Sequence, residues 1–171
     1  MHNKYYILVL FFIFYFGIGK KTILAQPNLP SHVINSTVIQ PLNFGSFCLS
    51  NVLGSGTVTV NYQGIVTATG SIYLMPSFSP IAQPAIFQVQ VCQGRNIIIE
   101  YSPSAILTST NGGTLTLHPG PSEYMDDSFS SGGDCNFINT IRMGGTLDIG
   151  NNSQNPEGIY SGTYEIVFNY Q

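Results

Sequence analysis

The chain has 171 residues, of which 43% are hydrophobic and only 8% charged, with a net charge of −3. This hydrophobic content excludes a disordered protein, because disorder requires low hydrophobicity and high charge. Five Lys and Arg residues are too few to neutralise a run of phosphates, so nucleic-acid binding is excluded. The length suits one domain with a substantial core.

The first residues have the pattern of a cleaved secretory signal peptide. A basic start at Lys4 precedes an apolar run over residues 7–18, which is shorter than the roughly 20 residues that a membrane span needs. The small residue Ala25 before a polar stretch predicts cleavage there, with an uncleaved anchor as the alternative. The predicted organisation is a signal peptide at 1–25, a leader at 26–31 and a β domain at 32–171.

Cleavage would change the charge of the chain considerably. Lys4, Lys20 and Lys21 would be removed, which leaves Arg95 and Arg142 against eight acidic residues and a net charge of −6. Such a chain is not expected to bind nucleic acid or anionic membranes, or to stay inserted in a membrane after cleavage. We therefore expect a secreted or cell-surface protein.

The remaining chain alternates apolar and polar residues with a period of two, which is typical of half-buried strands. A Gly-Thr step opens a predicted strand four times, at Gly56, Gly113, Gly145 and Gly162. No window has a helical period of useful length. This pattern predicts an all-β protein, a single antiparallel immunoglobulin-like β-sandwich, with a barrel as the alternative. Strands are predicted at 33–40, 42–48, 56–60, 65–75, 85–91, 96–101, 105–108, 113–117, 145–149 and 160–171.

The last predicted strand has the clearest alternation in the chain. Tyr164, Ile166, Phe168 and Tyr170 share one face, and polar residues or Val167 occupy the other. This row predicts that the strand lies centrally in a sheet, with its apolar side chains buried in the core.

The segment 119–136 interrupts the strand pattern with prolines, glycines and most of the acidic residues. It is predicted to be an exposed functional loop. Its candidate surface residues are Glu123, Tyr124, Asp126 and Asp127, and Tyr124 is expected to be exposed. Carboxylates gathered here would suit calcium, but no Asp-x-Asp-x-Asp-Gly loop is present, so a solvated acidic loop is the preferred interpretation.

Three cysteines in a secreted chain leave one unpaired. Cys92 ends an apolar strand and Cys135 closes the acidic segment, so Cys92–Cys135 is the favoured disulfide, with Cys48–Cys92 as the rival. Cys48 follows Phe47 in a predicted strand and is interpreted as a small buried hydrophobic residue rather than a nucleophile.

Other catalytic or binding chemistry has little support in the sequence. His32 and His118 have no second ligand at metal spacing, and no Gly-x-Ser-x-Gly elbow or paired carboxylates in a cleft are evident. The chain is therefore expected not to be an enzyme and to need no cofactor or metal. Four tyrosines could contact a protein or glycan ligand, although core packing is the preferred interpretation for most: Tyr62, Tyr73, Tyr101 and Tyr124.

Six short motifs follow one another in the chain: Leu42–Phe47, Gly56–Val60, Thr67–Gly70, Asn111–Thr114, Gly144–Leu147 and Tyr160–Tyr164. Together they resemble the bacterial domain of unknown function 4402 family over most of residues 33–171. The resemblance implies a secreted immunoglobulin-like sandwich, here at the periplasmic or outer surface of a Gram-negative bacterium, with no established activity. The signal peptide, the sandwich pattern and the absence of paired catalytic groups predict a non-catalytic structural or adhesive module.

A more distant resemblance is to subunits of chaperone–usher pili. Those subunits carry a glycine before an alternating last strand and an aromatic residue second to last, as Gly158 and Tyr170 do here, but their first strand holds a cysteine that 33–40 lacks. This resemblance implies a fimbrial subunit assembled by strand donation as the alternative function. Because neither face of 33–40 is apolar throughout, we expect the chain to complete its own sandwich and to be a monomer rather than to self-assemble.

Overall fold

The computed structural model describes residues 34–92 and 94–171, which belong to one compact unit. The fold is an all-β antiparallel sandwich, as predicted, with one 3-10 turn at Met125–Asp127. The predicted signal peptide and leader lie outside the described residues. The strands are β1 (Ile34–Gln40), β2 (Phe47–Leu49), β3 (Gly56–Val60), β4 (Val66–Ala68), β5 (Ile72–Leu74), β6 (Ala85–Val91), β7 (Asn96–Tyr101), β8 (Ala105–Ser109), β9 (Thr114–Ser122), β10 (Ser128–Ser130), β11 (Ile138–Ile149), β12 (Tyr160–Ser161) and β13 (Ile166–Tyr170).

One half of the core lies between two layers, β1-β6-β11 and β10-β7-β13. Strand β6 alternates strictly, with Ala85, Phe87, Val89 and Val91 buried and the residues between them half-buried. From the opposite layer, Phe168 of β13 meets Phe87 edge-on, with ring centroids 6.3 Å apart. This layer pair is the part of the molecule that positions the candidate site.

The other half of the core is built around the second half of β11. There β11 lies between β3 and β9, with β4 beyond β3 and with β8 and β12 beyond β9. The two-stranded sheet β2-β5 contributes half-buried side chains to the same core. The buried members of this cluster are Phe44, Val58, Val60, Leu107, Leu115, Leu117, Leu147 and Ile149.

Strand β11 joins the two halves because it changes partner along its length. Ile138–Met143 pairs with β6, whereas Gly145–Ile149 pairs with β3. The change falls at Gly144, where an added Cβ would lie only 2.3 Å from the backbone carbonyl oxygen of Val60. Only glycine lets the end of β3 approach β11 this closely.

Several predicted strands are confirmed with their bounds, namely 56–60, 85–91 and 96–101. The predicted strand at 65–75 is instead two strands, β4 and β5, separated by a turn at Gly70 with a φ of 66°. The prediction for 42–48 is also wrong for most of its length. There Asn43 makes only an isolated bridge to Gln83, and β2 begins at Phe47.

The single last strand predicted from Tyr160 onward is wrong, because the chain changes sheet within it. Strand β12 pairs with β8, and β13 pairs with β7 in the other layer. Gly162 permits the crossing, since an added Cβ would lie 2.5 Å from the Ile106 carbonyl oxygen. Tyr164 then packs against both core clusters. Strand β13 is the outer strand of its sheet, so its predicted central position is wrong as well.

The predicted loop at 119–136 is largely ordered structure. Strand β9 continues through Pro119 to Ser122, the 3-10 turn follows, and β10 pairs with β7. Proline is tolerated because β8 pairs with β9 only as far as Leu117, so the missing N–H of Pro119 breaks no bond on that edge. Phe129 and Ser131 within this segment are buried.

Among residues 34–92 and 94–171, no helix is long and apolar enough to cross a membrane.

Candidate functional site

The four candidate residues of the acidic segment do not converge on one site. Glu123 and Asp126 are exposed, whereas Tyr124 and Asp127 are half-buried. Glu123 accepts a hydrogen bond from the backbone N–H of Arg142 at 2.8 Å. Asp126 adopts a left-handed φ of 58° in the 3-10 turn.

The Asp127 carboxylate accepts two hydrogen bonds from groups of the protein itself. One oxygen accepts a hydrogen bond from the Tyr101 hydroxyl at 2.8 Å, and the other accepts from the backbone N–H of Ser122 at 3.1 Å. These bonds tie the 3-10 turn to β7 and to the end of β9. Burial, and then the bond to Asp127, raises the pKa of Tyr101 to about 12. Asp127 is therefore a structural acceptor in this arrangement.

Tyr124, which was expected to be exposed, packs on the buried Phe129. Their rings are stacked with centroids 5.2 Å apart. Burial raises the pKa of Tyr124 above its ordinary value, with the Glu123 charge as a smaller cause. The sequence suggested exposure because Tyr124 lies among acidic residues, but its ring anchors the segment to the core.

The structure joins Cys92 and Cys135 by a disulfide, which is the pairing that the sequence favours. Their Cα atoms are 4.1 Å apart and 43 positions apart in the chain. The Gln90 side-chain amide also donates to the Cys135 carbonyl oxygen at 2.6 Å. The end of β6 is therefore held covalently to the segment that leads into β11.

The predicted burial of Cys48 is wrong, since Cys48 is an exposed free thiol. Phe47 and Leu49 point towards the core, so the alternation of β2 places Cys48 on the outer face. Its partner across the strand pair is Tyr73, which is 69% exposed.

Of the other tyrosines suggested as ligand contacts, Tyr62 and Tyr101 are half-buried. Tyr73 is the only one of the four classed as exposed.

His118 forms a surface ion pair with Asp148, with 2.9 Å between Nε2 and Oδ2. This hydrogen bond is the main reason why the pKa of His118 lies above its ordinary value. The residues that the structure describes contain no group of three His, Cys, Asp or Glu side chains placed to hold a metal ion. His32 lies outside those residues.

A shallow polar groove lies beside this pair and is lined by Thr57, Thr114, Asp148 and the loop 150–155. Asn155 holds the loop in place, because it donates to the Thr114 carbonyl oxygen and accepts from the Gly150 N–H. The groove is therefore a polar surface whose Asn155 amide is already bonded within the protein.

The most distinctive surface is the side of the sandwich between β1 and β13, called here the open side. Strand β1 is the outer strand of its sheet, and β13 is the outer strand of the facing sheet. Strand β10, at the other edge of that sheet, follows β9 after a short turn and so lies on the β11 side. Strand β13 faces β6, the neighbour of β1, because Phe168 of β13 meets Phe87 of β6 between the layers.

On β1, side chains that face inward remain accessible. Ile34, Ser36 and Val38 stand directly opposite Val91, Val89 and Phe87 of β6, so they share the face of these three buried residues. Nevertheless Ser36 and Val38 are exposed, Val38 at 61%.

On β13, the inward row is only half-buried. Phe168 and Tyr170 stand opposite Ile99 and Ile97 of β7, which are buried, yet neither Phe168 nor Tyr170 is buried to the same degree. The expectation that this apolar row is buried is therefore confirmed only in part, since its residues are half-buried and pack against the core. The alternation in the sequence shows that these residues share a face, but it does not show that β13 is the outer strand of its sheet.

Both edges of the open side lack the usual protection against pairing with another strand. Natural edges are commonly interrupted by charged side chains, prolines or bulges. Strand β13, Ile166–Tyr170, has no charge and no proline. Strand β1 also has no charge and is interrupted only near its end, by a register shift between Val38 and Gln40.

The whole of this fold matches one protein family. The family model of a domain of unknown function, DUF4402, matches residues 34–170. The chain belongs to the DUF4402 family. The match runs from the start of β1 to the end of β13, so both edges of the open side lie within the DUF4402 domain.

No curated protein and no solved structure matches the chain. The resemblance to pilus subunits therefore stays a hypothesis.

Proposed function

We propose that this DUF4402 chain is a non-catalytic structural or adhesive module, secreted or displayed on the cell surface, that acts by contact with another protein. The observation that carries the proposal is the open side, where the inward-facing Val38 is 61% exposed and neither β1 nor β13 carries a charged residue. Accessible edges and apolar patches are typical of interaction surfaces. The signal-peptide pattern of residues 1–25 supports the location.

The location can be tested by expressing the full chain in a Gram-negative host and fractionating the cells. We expect the protein in the periplasm, on the outer surface or in the medium, with a mature N-terminus at Gln26. A full-length product that stays in the cytoplasm would contradict the proposal, and the matched control is a variant with Lys substituted for two residues of the apolar run, Phe11 and Phe12.

The rival class is a calcium-dependent binder or an enzyme that uses the segment 119–136. Asp126→Asn tests this rival class, because Asp126 is exposed and makes a suitable surface substitution. The hydrogen bonds of Asp127 to Tyr101 and Ser122 stay intact in this variant. We expect calcium to leave the melting temperature of the wild-type protein and of Asp126→Asn unchanged. A calcium-dependent rise in the wild type that disappears in Asp126→Asn would favour the rival.

The second candidate function is a fimbrial subunit assembled by strand donation, and the outer position of β13 in the sheet β10-β7-β13 is the observation that favours it. Against it, β1 already pairs with β6 at six positions of its own chain. We therefore propose that purified residues 26–171 sediment as a monomer. Ladders that resist mild detergent and vanish when residues 26–33 are deleted would support the fimbrial subunit instead.

A further inference from the structure

We propose that the polar groove beside the His118–Asp148 pair binds a neutral carbohydrate chain through hydrogen bonds to its hydroxyl groups. The groove belongs to β3, β9, β11 and the loop 150–155, and it shares no residue with the open side. The proposal therefore goes beyond the proposed function and does not depend on it. The volume of the groove is about 740 Å³, within the range of about 300–1,000 Å³ that small-molecule sites occupy.

The groove is lined by hydrogen-bonding groups from facing elements. Thr57 of β3 and Asp148 of β11 stand directly opposite each other in the ladder, and Gln154 of the loop lines the same groove. A threonine hydroxyl donates and accepts, an amide does both through different atoms, and a carboxylate only accepts. A ligand that satisfies all three must present groups that both donate and accept, and hydroxyl groups do so.

The Asp148 carboxylate can bind a ligand while it keeps its bond to His118. Only Oδ2 contacts His118, at 2.9 Å, and the Asp148 side chain remains 52% exposed. The Gln154 side chain is exposed as well. Its Oε1 accepts from the backbone N–H of Asn151 at 3.3 Å, which uses the carbonyl oxygen of the amide and not its N–H donors.

The charges around the groove favour a neutral ligand. Both ring nitrogens of His118 face acceptors, the Pro103 carbonyl oxygen at 3.2 Å and the Asp148 carboxylate at 2.9 Å. Both bonds therefore form together only when the ring is protonated, and the pair then has no net charge. Of the residues that the structure describes, neither Arg95 nor Arg142 lines the groove, so neither would compensate an anionic ligand.

An apolar surface lies beside the polar groove. The backbone N–H of Asn152 donates to the Val52 carbonyl oxygen at 3.1 Å, which places the turn 51–54 next to the loop 150–155. In that turn Val52 is 67% and Leu53 83% exposed. A sugar ring carries hydroxyl groups at its edge and apolar C–H groups on its faces. The combination of surfaces therefore favours a carbohydrate over a small ligand that is polar throughout.

The test uses residues 26–171, which include all residues that the structure describes. The probes are fluorescent hexasaccharides of glucose, mannose, xylose or galactose units, in α-linked and β-linked forms. An anionic hexasaccharide of galacturonic acid and a cationic one of glucosamine are the charged controls. We expect at least one neutral hexasaccharide to bind in fluorescence anisotropy, to be displaced by its unlabelled form, and to shift the NMR signals of the His118 ring.

Two pairs of variants locate the binding. Thr57→Val removes a hydroxyl that lines the groove, and Thr59→Val is its matched control on the same outward face of β3. Each of these hydroxyls bonds to a neighbouring threonine hydroxyl, so both variants lose the same kind of internal bond. Gln154→Ala and Asn152→Ala form the second pair, because both side chains are exposed in the loop but only the first lines the groove.

Loss of one hydrogen bond to the ligand should weaken binding about threefold or more in Thr57→Val and in Gln154→Ala, while both controls bind as the wild type does. The two groove variants lie on different elements, so a lower melting temperature in one leaves the other pair to decide. Three results would overturn the inference: no neutral hexasaccharide binds, only a charged control binds, or the groove variants and their controls are affected equally. None of these results bears on the open side.

Discussion

The junction at Gly144 gives the sharpest test of how this fold is held together. An alanine there would place Cβ 2.3 Å from the Val60 carbonyl oxygen and 3.0 Å from the Asn61 backbone. Carbon atoms in good contact lie about 3.5–4.0 Å from their neighbours, so β3 and β11 would have to separate by more than roughly 1 Å. The obstructing atoms are backbone atoms, which cannot rotate away as a side chain could.

The expected cost follows from two contributions. Overpacking in a well-packed interior costs about 1–3 kcal/mol, and weakening a ladder hydrogen bond between β3 and β11 adds about 1 kcal/mol. We therefore expect Gly144→Ala to lower the free energy of unfolding by about 3 kcal/mol. For a domain of this size that corresponds to a fall of about 10 °C in melting temperature.

The matched control is Gly133→Ala, where an added Cβ meets no atom within 4 Å. Urea denaturation of residues 26–171 should place Gly133→Ala within about 0.5 kcal/mol of the wild type. If Gly144→Ala unfolds at the same urea concentration as Gly133→Ala, the close approach of β3 and β11 is not required, and the account of the junction is wrong.

Replacing both Cys92 and Cys135 by Ala should lower stability by about 4 kcal/mol in urea denaturation, because the disulfide closes a loop with a separation of 43 residues; a loss below about 1 kcal/mol would contradict this estimate. The His118 pKa is raised by its bond to Asp148, so its contribution to stability is present below pH of about 6.5 and is lost as pH rises through the folded-state pKa. In NMR titration the His118 midpoint should fall in Asp148→Asn, and an unchanged midpoint would refute the ion pair. Because the pKa of Tyr101 is raised to about 12, stability should decline as pH rises above about 10. This decline should be less steep in Tyr101→Phe, and equal slopes would contradict the raised pKa.

The sequence predicted the class of the fold because alternation is a local signal. Strand β6 was predicted with its bounds, since Ala85, Phe87, Val89 and Val91 alternate strictly with polar or less buried residues. The turn at Gly70 was missed because the residues on both sides of it also favour strands. Periodicity shows which residues share a face, but it does not show where one strand ends and another begins.

The segment 119–136 shows the opposite error, because its composition does not indicate the strands that it contains. Its prolines and acidic residues predicted a loop, yet Tyr124 and Phe129 stack on each other and Asp127 is bonded to Tyr101. These contacts join residues that are distant in sequence or follow a turn, so no local pattern could have indicated them. The disulfide was easier to anticipate, because three cysteines allow only three pairings.

The open side also depends on information that the sequence of one strand does not contain. The row Ile166, Phe168 and Tyr170 would look the same in a central strand and in an edge strand. Its half-buried state follows only from the place of β13 as the outer strand of the sheet β10-β7-β13.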